Sequence, residues 1–198
     1  MMEIVVATRN KRKVEEIKRI LAEMPVKILT IEDFPECPEV EEDGRTFEEN
    51  AVKKALNIAR CTGKPSLADD SGLEVYALNG APGVMSSRYA GPDSDDMKNI
   101  EKLLKEMDSL NDKKRSARFV CCIALAFPEG NIKTFFGYVE GIIGKEPKGS
   151  SGFGYDPVFY PEGHGRSFAE MSSEEKDALS HRGKALREFL NYIRDKIF

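Results

Sequence analysis

Ile4-Val5-Val6-Ala7-Thr8-Arg9-Asn10-Lys11-Arg12-Lys13-Val14 decides the class of this fold. It opens on a β-branched run of strand length, and beyond Asn10 the apolar residues Val14, Ile17, Ile20 and Leu21 recur at the spacing of one helix face. The order is strand, loop, helix. Val26 to Ile31 supplies a second strand, followed by an acidic, proline-containing loop from Glu32 to Arg45. Thr46-Phe47-Glu48-Glu49 has the pattern of a capping box, with Thr46 at the N-cap and Glu49 at the third helical position. Ala51, Ala55 and Ile58 mark the buried face of that helix, and Gly63 is suited to end it.

Pro65-Ser66-Leu67-Ala68 is a short apolar-leaning run that places Asp69 and Asp70 at a strand end, with Ser71-Gly72 as the turn beyond. Adjacent side chains of a strand point to opposite faces, so the two acids are expected to differ in task, one structural or metal-directed and the other aimed into a cleft. The plain alternative is a turn solvated by two carboxylates. Leu73 to Tyr76 is a further strand, a Gly/Pro-rich loop runs from Gly80 to Gly91-Pro92, and the pattern predicts a helix from about Asp95 to Met107. Ala117 to Phe127 and Ile132 to Val139, the latter running on toward Ile143, flank Pro128-Glu129-Gly130-Asn131 as an antiparallel hairpin. Ser172-Ser173-Glu174-Glu175 opens another capped helix, and Leu186, Phe189, Leu190, Ile193 and Ile197 form the core face of the last one. Strand-helix alternation at the front and an antiparallel pair in the middle predict an α/β fold, a mixed sheet flanked by helices.

With 198 residues, 40% of them hydrophobic, no internal repeat and no linker rich in Pro, Gly or Ser, residues 1–198 are expected to form one domain. No apolar run approaches the ~20 residues that span a bilayer. Met1-Met2-Glu3-Ile4 goes straight into a strand without the basic start of a secretory signal, so a cytoplasmic protein with no membrane partner is expected. Cys37, Cys61, Cys121 and Cys122 lack C-x-x-C spacing, and buried reduced thiols are the expectation. His164 and His181 are the only imidazoles, which leaves carboxylates as metal ligands and Mg2+ or Mn2+ as the metal. A net charge of -4 argues against a nucleic-acid partner, and Lys113-Lys114-Arg115 with Arg118 reads as a solvated connection.

Thr8, Arg9, Asn10, Lys11, Arg12 and Lys13 bring a hydroxyl, an amide and several cations to a helix N-terminus. Backbone N–H groups and the helix dipole favour an anion there, and cations are otherwise misplaced, so phosphate is the natural ligand. Glu41-Glu42-Asp43-Gly44 precedes the helix that bears Lys53 and Lys54; with the Asp pair it offers a metal carboxylate, and alone it is a solvated turn. In Gly152-Phe153-Gly154-Tyr155-Asp156-Pro157, glycines flank an aromatic suited to stacking on a base, with Asp156 able to accept base N–H groups, although such turns also occur in ordinary loops. Lys176 precedes His181 and Arg182 by about one and a half helical turns. The two cations suit phosphates or base carbonyls, while His181 equally suits a buried structural place. The chain has no P-loop, no dinucleotide fingerprint and no Ser-His-Asp order.

Thr8 to Lys13, Glu42 to Ala51, Ala68 to Leu73, Ser87-Arg88-Tyr89-Ala90-Gly91, Gly152 to Pro157 and Ser180 to Gly183, in this order along nearly the whole chain, resemble the inosine/xanthosine triphosphate pyrophosphatase family. The resemblance implies hydrolysis of ITP, dITP and XTP between the α and β phosphates, which removes deaminated purines from the nucleotide pool. It also implies Mg2+ dependence, with Mn2+ as a substitute, a homodimer, and an elongated mixed sheet in two lobes around a central nucleotide cleft. By position, Thr8 to Lys13 would hold phosphate. Glu42 and Asp70 would ligate the metal, Asp70 would also be the catalytic base, and Asp69 would be a further candidate ligand. Ser71 would contact substrate, Phe153, Gly154, Tyr155 and Asp156 would hold the base, and Lys54, Lys176, His181 and Arg182 would complete the substrate-binding set. Many relatives carry Gly or Ser where Arg9 stands, so the first loop is expected to be bulkier or more cationic here. The competing readings are a pyrophosphatase for modified pyrimidine triphosphates and a non-catalytic nucleotide sensor, which would have little use for Glu42 and the Asp pair.

Overall fold

A computed structural model describes residues 2–111 and 114–197. Lys113 of the basic connection and the side chain of Ile197 lie outside the described residues. β1 (Met2–Val6) and β2 (Val26–Thr30) run parallel, joined through α1 (Lys11–Ile20), with Ile4 opposite Ile28. α2 (Phe47–Thr62) leads into β3 (Ser66–Val75), which is parallel to β1 on its other side. α3 (Asp96–Met107) precedes β4 (Ser116–Ala126) and β5 (Ile132–Ile143), and the short β6 (Phe159–Pro161) lies antiparallel to β5. α4 (Ser173–Leu179) and α5 (His181–Ile197) close the chain. The six strands form one mixed sheet in the order β2-β1-β3-β4-β5-β6, so the expected α/β architecture is borne out.

Local chemistry explains the helix starts. Asn10 caps α1, its Oδ1 accepting from the backbone N–H of Arg12 at 3.1 Å and of Lys13 at 3.3 Å. Thr46 caps α2 by accepting from Glu49 N at 3.1 Å, but the Glu49 carboxylate takes Arg45 N at 2.7 Å, one residue ahead of the cap, so only half of the expected box closes. The box at Ser172 and Glu175 is complete. Gly63 ends α2 with φ +65°, a conformation that glycine adopts without a Cβ clash.

The chain divides into two compact units, each gathered from separated stretches. One holds the residues through Asp70, Cys121–Gly137 and those from Arg182 onward; the other holds Ser71–Val120 and Tyr138–His181. The core of the first is built on Ile4, Val6, Ile17, Leu67, Leu125 and Phe189, and that of the second on Leu73, Ile100, Leu103, Phe119, Phe159 and Phe168. Three of the boundaries fall inside β3, β4 and β5, which is why no linker marks them in the sequence. Among the described residues, no helix is long and apolar enough to cross a membrane.

Several expectations are corrected. Asp69 and Asp70 stand in the middle of an unbroken strand and not at its end, because cations from other elements neutralise them and Ser71-Gly72 continues in extended backbone. Arg115 is buried, not solvated: its guanidinium donates to the carbonyls of Ile143 at 2.7 Å and Gly144 at 2.6 Å, fastening the start of β4 to the end of β5. Lys176 and Arg182 do not share a helix, since Ser180, with ψ 157°, interrupts the chain between α4 and α5. Cys37 and Cys61 are not reduced thiols but are joined in a disulfide, because the acidic loop folds back onto the end of α2; Cys121 and Cys122 are free and fully buried.

Candidate active site

In the first unit, β3 presents two carboxylates with opposite surroundings. Asp69 is completely buried; its Oδ1 accepts from Lys13 Nζ at 2.5 Å, and its Oδ2 accepts from Arg182 Nε at 2.8 Å and from the Cys121 thiol at 3.1 Å. Arg182 also donates to Glu16. Burying Asp69, Arg182 and Glu16, with Lys13 half-buried beside them, is tolerable only when each is paired. Burial alone would raise the Asp69 carboxyl, but Arg182 and Lys13 hold it well below the usual carboxylate range. Burial alone would likewise lower Arg182 and Lys13, and Asp69 above all keeps both raised. Asp69 is thus a permanently charged anchor that fixes Lys13 and Arg182.

Asp70 faces a different environment. It is 5% exposed, and its Oδ1 lies 3.4 Å from Lys54 Nζ, which also donates to Glu42 Oε1 at 3.1 Å and to the Asp69 carbonyl at 2.7 Å. Asp70 Oδ2 is buried without a hydrogen-bond partner. Burial pushes the Asp70 carboxyl up, Lys54 and Lys13 pull it back and Glu42 adds to the push, leaving it at about 6. Glu42, despite its own burial, is lowered, chiefly by Lys54. Lys54 reaches this place from the buried stripe of α2, in step with Phe47, Ala51, Ala55 and Ile58. Two like charges bridged by one ammonium, with a buried carboxylate oxygen unpartnered, suit a hard cation. Among the described residues no set of three or more His, Cys, Asp or Glu is grouped to hold a metal, so Glu42 and Asp70 form a pair of carboxylates and not a larger cluster.

The first loop is organised around its own helix cap. Thr8 Oγ1 accepts from Asn10 N at 3.2 Å, and Asn10 is occupied with Arg12 N and Lys13 N. Lys11 and Arg12 are exposed, Lys11 near Glu32 at 4.0 Å. Arg9 is exposed as well, and its guanidinium reaches the Cys37 carbonyl at 3.4 Å, tying this loop to the one that carries Glu42.

In the second unit, Gly152 and Gly154 hold φ values of +71° and +61° on either side of Phe153. A Cβ at Gly152 would overlap the Asp156 carboxylate. Asp156 is buried; its Oδ2 accepts from Phe153 N at 3.0 Å and from Lys176 Nζ at 2.6 Å, and that ammonium lies 4.7 Å from the Phe153 ring centroid. Gly154 N donates to Asp96 Oδ2 at 2.9 Å, and the Tyr155 hydroxyl donates to the Ser86 carbonyl at 2.6 Å. His181 is buried and stacked on Phe119, with ring centroids 4.6 Å apart and planes within 10°. Ser71 is half-buried and follows Asp70 on β3.

Residues 4–192 match the Ham1 family. This chain belongs to the Ham1 family. It is 53% identical over 186 residues to the dITP/XTP pyrophosphatase of Geobacter sulfurreducens, covering 94% of each chain. It is 48% identical over 190 residues to the dITP/XTP pyrophosphatase of Bacillus anthracis, covering 95% of this chain and 94% of the relative. Among solved structures it is similar to a HAM1 protein from Coxiella burnetii, with TM-score 0.91 and 44% identity over 98% of this chain and all of that one. The Staphylococcus aureus Ham1 protein follows with TM-score 0.88 and 40% identity over 98% of this chain and 99% of that one.

In this Ham1 chain, sequence reasoning joined Glu42 to the Asp69 and Asp70 acids, but it grouped Lys176 with His181 and Arg182, whereas Lys176 pairs with Asp156 beside Phe153 and Arg182 pairs with Asp69. It assigned no task to Glu16, Asp96 or Cys121. Glu16 was legible in principle: it falls three residues after Lys13 on the face of α1 that carries Ile17 and Ile20, an acid where a core residue is due. Asp96 carried no such signal, because an acid in the first turn of a helix is ordinary.

Proposed function

We propose that this Ham1 protein hydrolyses ITP, dITP and XTP to the nucleoside monophosphate and pyrophosphate, in a Mg2+-dependent reaction with Asp70 as base. The observation that carries the reading is the buried Asp70, with one oxygen unpartnered, beside Glu42 and Lys54. The names of relatives at about half identity, dITP/XTP pyrophosphatase, support the substrate class.

Glu42 and Asp70 would hold Mg2+, with Mn2+ as a substitute; when bound, the ion supplies neutralisation and polarisation of phosphate oxygens. Asp70 takes the proton of the attacking water: in the metal-free protein burial raises its carboxyl above the ordinary value, which makes it the more basic of the two acids. Lys13 and Lys54, held in place by Asp69 and Glu42, compensate phosphate charge together with the N-terminus of α1, and Arg182 keeps Asp69 ionised. Phe153 stacks on the purine, with Lys176 and Asp156 fixing its surroundings. Preference for a 6-keto purine over adenine follows where buried polar groups are left unpaired by the wrong base. The reading includes a cytoplasmic homodimer.

The test is pyrophosphate release from ITP, XTP, dITP, ATP, GTP and a set of modified pyrimidine triphosphates, with and without Mg2+, alongside molar mass in solution. Release from the deaminated purines only with Mg2+ supports the reading. Binding without release would make the protein a sensor, and preference for pyrimidines would replace the substrate class.

A further inference from the structure

The loop of the second unit is fastened on both sides of Phe153. The Phe153 N–H donates to Asp156 within the same loop, whereas the Gly154 N–H donates to Asp96 Oδ2 at 2.9 Å, a partner 58 residues away in sequence. Glycines with left-handed backbone on either side give the peptide planes around Phe153 wide freedom until those N–H groups are held. Asp96 sits on a firm element. Asp95 caps α3 by accepting from Lys98 N at 2.8 Å, the Asn99 side chain accepts from Ala90 N at 2.8 Å and donates to Ser87 O at 3.1 Å, and Ile100, Leu103 and Met107 are buried in the core. The Gly154 bond therefore refers the glycine-rich loop to the core of its unit.

We infer that Asp96 is a positioning residue: by accepting the Gly154 N–H it sets the place of the Phe153 ring and thereby the affinity for the purine base. The inference rests on the assignment of Phe153 to the base. The ordinary alternative is that an acid in the first turn of α3 serves only the helix dipole. The two separate cleanly, because Asn at this position keeps a carbonyl acceptor and loses the charge, whereas Ala loses both.

The experiment measures IMP binding by calorimetry, KM and kcat for ITP, and hydrogen exchange of the Gly154 amide in the wild type, Asp96→Asn and Asp96→Ala. Asp96→Ala is expected to weaken IMP binding and raise KM about tenfold, with kcat within about twofold and the Gly154 amide unprotected. Asp96→Asn is expected to stay within about twofold of wild type in every readout. Wild-type IMP affinity in Asp96→Ala, a loss confined to kcat, or an Asn variant as weak as the Ala variant would each overturn the role of Asp96. Should Asp96→Ala not fold, Asp96→Ser, whose shorter side chain withdraws the acceptor from the Gly154 N–H, takes its place: weakened IMP binding with the Gly154 amide unprotected upholds the inference, and wild-type affinity overturns it. A wild-type protein that neither binds IMP nor hydrolyses ITP overturns the base assignment itself.

Discussion

Replacing Asp70 by Asn is expected to stabilise the metal-free protein while abolishing turnover. Asp70 is 5% exposed with an unpartnered Oδ2, and burial moves its carboxyl from 3.8 to about 6 against the pull of Lys54 and Lys13, with Glu42 adding to the rise. A carboxyl whose pKa rises on folding contributes fully below pH 3.8, and that contribution is lost as pH climbs through about 6. At ~1.36 kcal/mol for each tenfold change in proton affinity, the ionised side chain burdens the native state by up to about 3 kcal/mol at pH 8. Asn keeps an oxygen for Lys54 and has no charge to desolvate. In EDTA at pH 8 the variant should therefore unfold at a temperature roughly 6 to 12 °C higher than wild type, with the difference nearly gone at pH 4. Thermal unfolding followed by circular dichroism at both pH values checks this, and added Mg2+ should raise the midpoint of the wild type alone. A variant less stable than wild type at pH 8, or equally stabilised at both pH values, would refute the reasoning.

Asp69→Asn should act in the opposite direction, costing about 3 to 5 kcal/mol in urea denaturation at neutral pH, because Lys13 and Arg182 lose their buried counter-charge. Its carboxyl is depressed on folding, so the wild type should lose this advantage as pH falls below 3.8 toward the lower folded value, and a cost under about 1 kcal/mol at neutral pH would dismiss the anchor. Cys61→Ser opens a disulfide spanning 24 residues and should cost about 3 kcal/mol, with dithiothreitol lowering the wild type to the same level and leaving the variant unchanged. Gly152→Ala places a side chain at φ +71° against the Asp156 carboxylate and should raise KM for ITP roughly tenfold with folding retained; an unchanged KM would detach this loop from substrate binding.

What the sequence by itself determined was set by short-range physics. Apolar spacing located the strands and helices, Thr46 and Ser172 announced helix starts, Gly63 a stop, and adjacent acids on a strand had to face opposite ways. The three-residue β6 escaped because it is too short to carry a period. Only the tertiary structure decided what each acid does. Asp69 and Asp70 differ by one position, yet Asp69 is neutralised by residues 56 and 113 positions away and Asp70 by one 16 positions away. The cost of burying a charge depends on the partners that reach it, and those partners arrive from α1, α2 and α5. Arg115, a surface cation by composition, became an internal fastener for the same reason, and Cys37 met Cys61 only when the acidic loop folded back on α2.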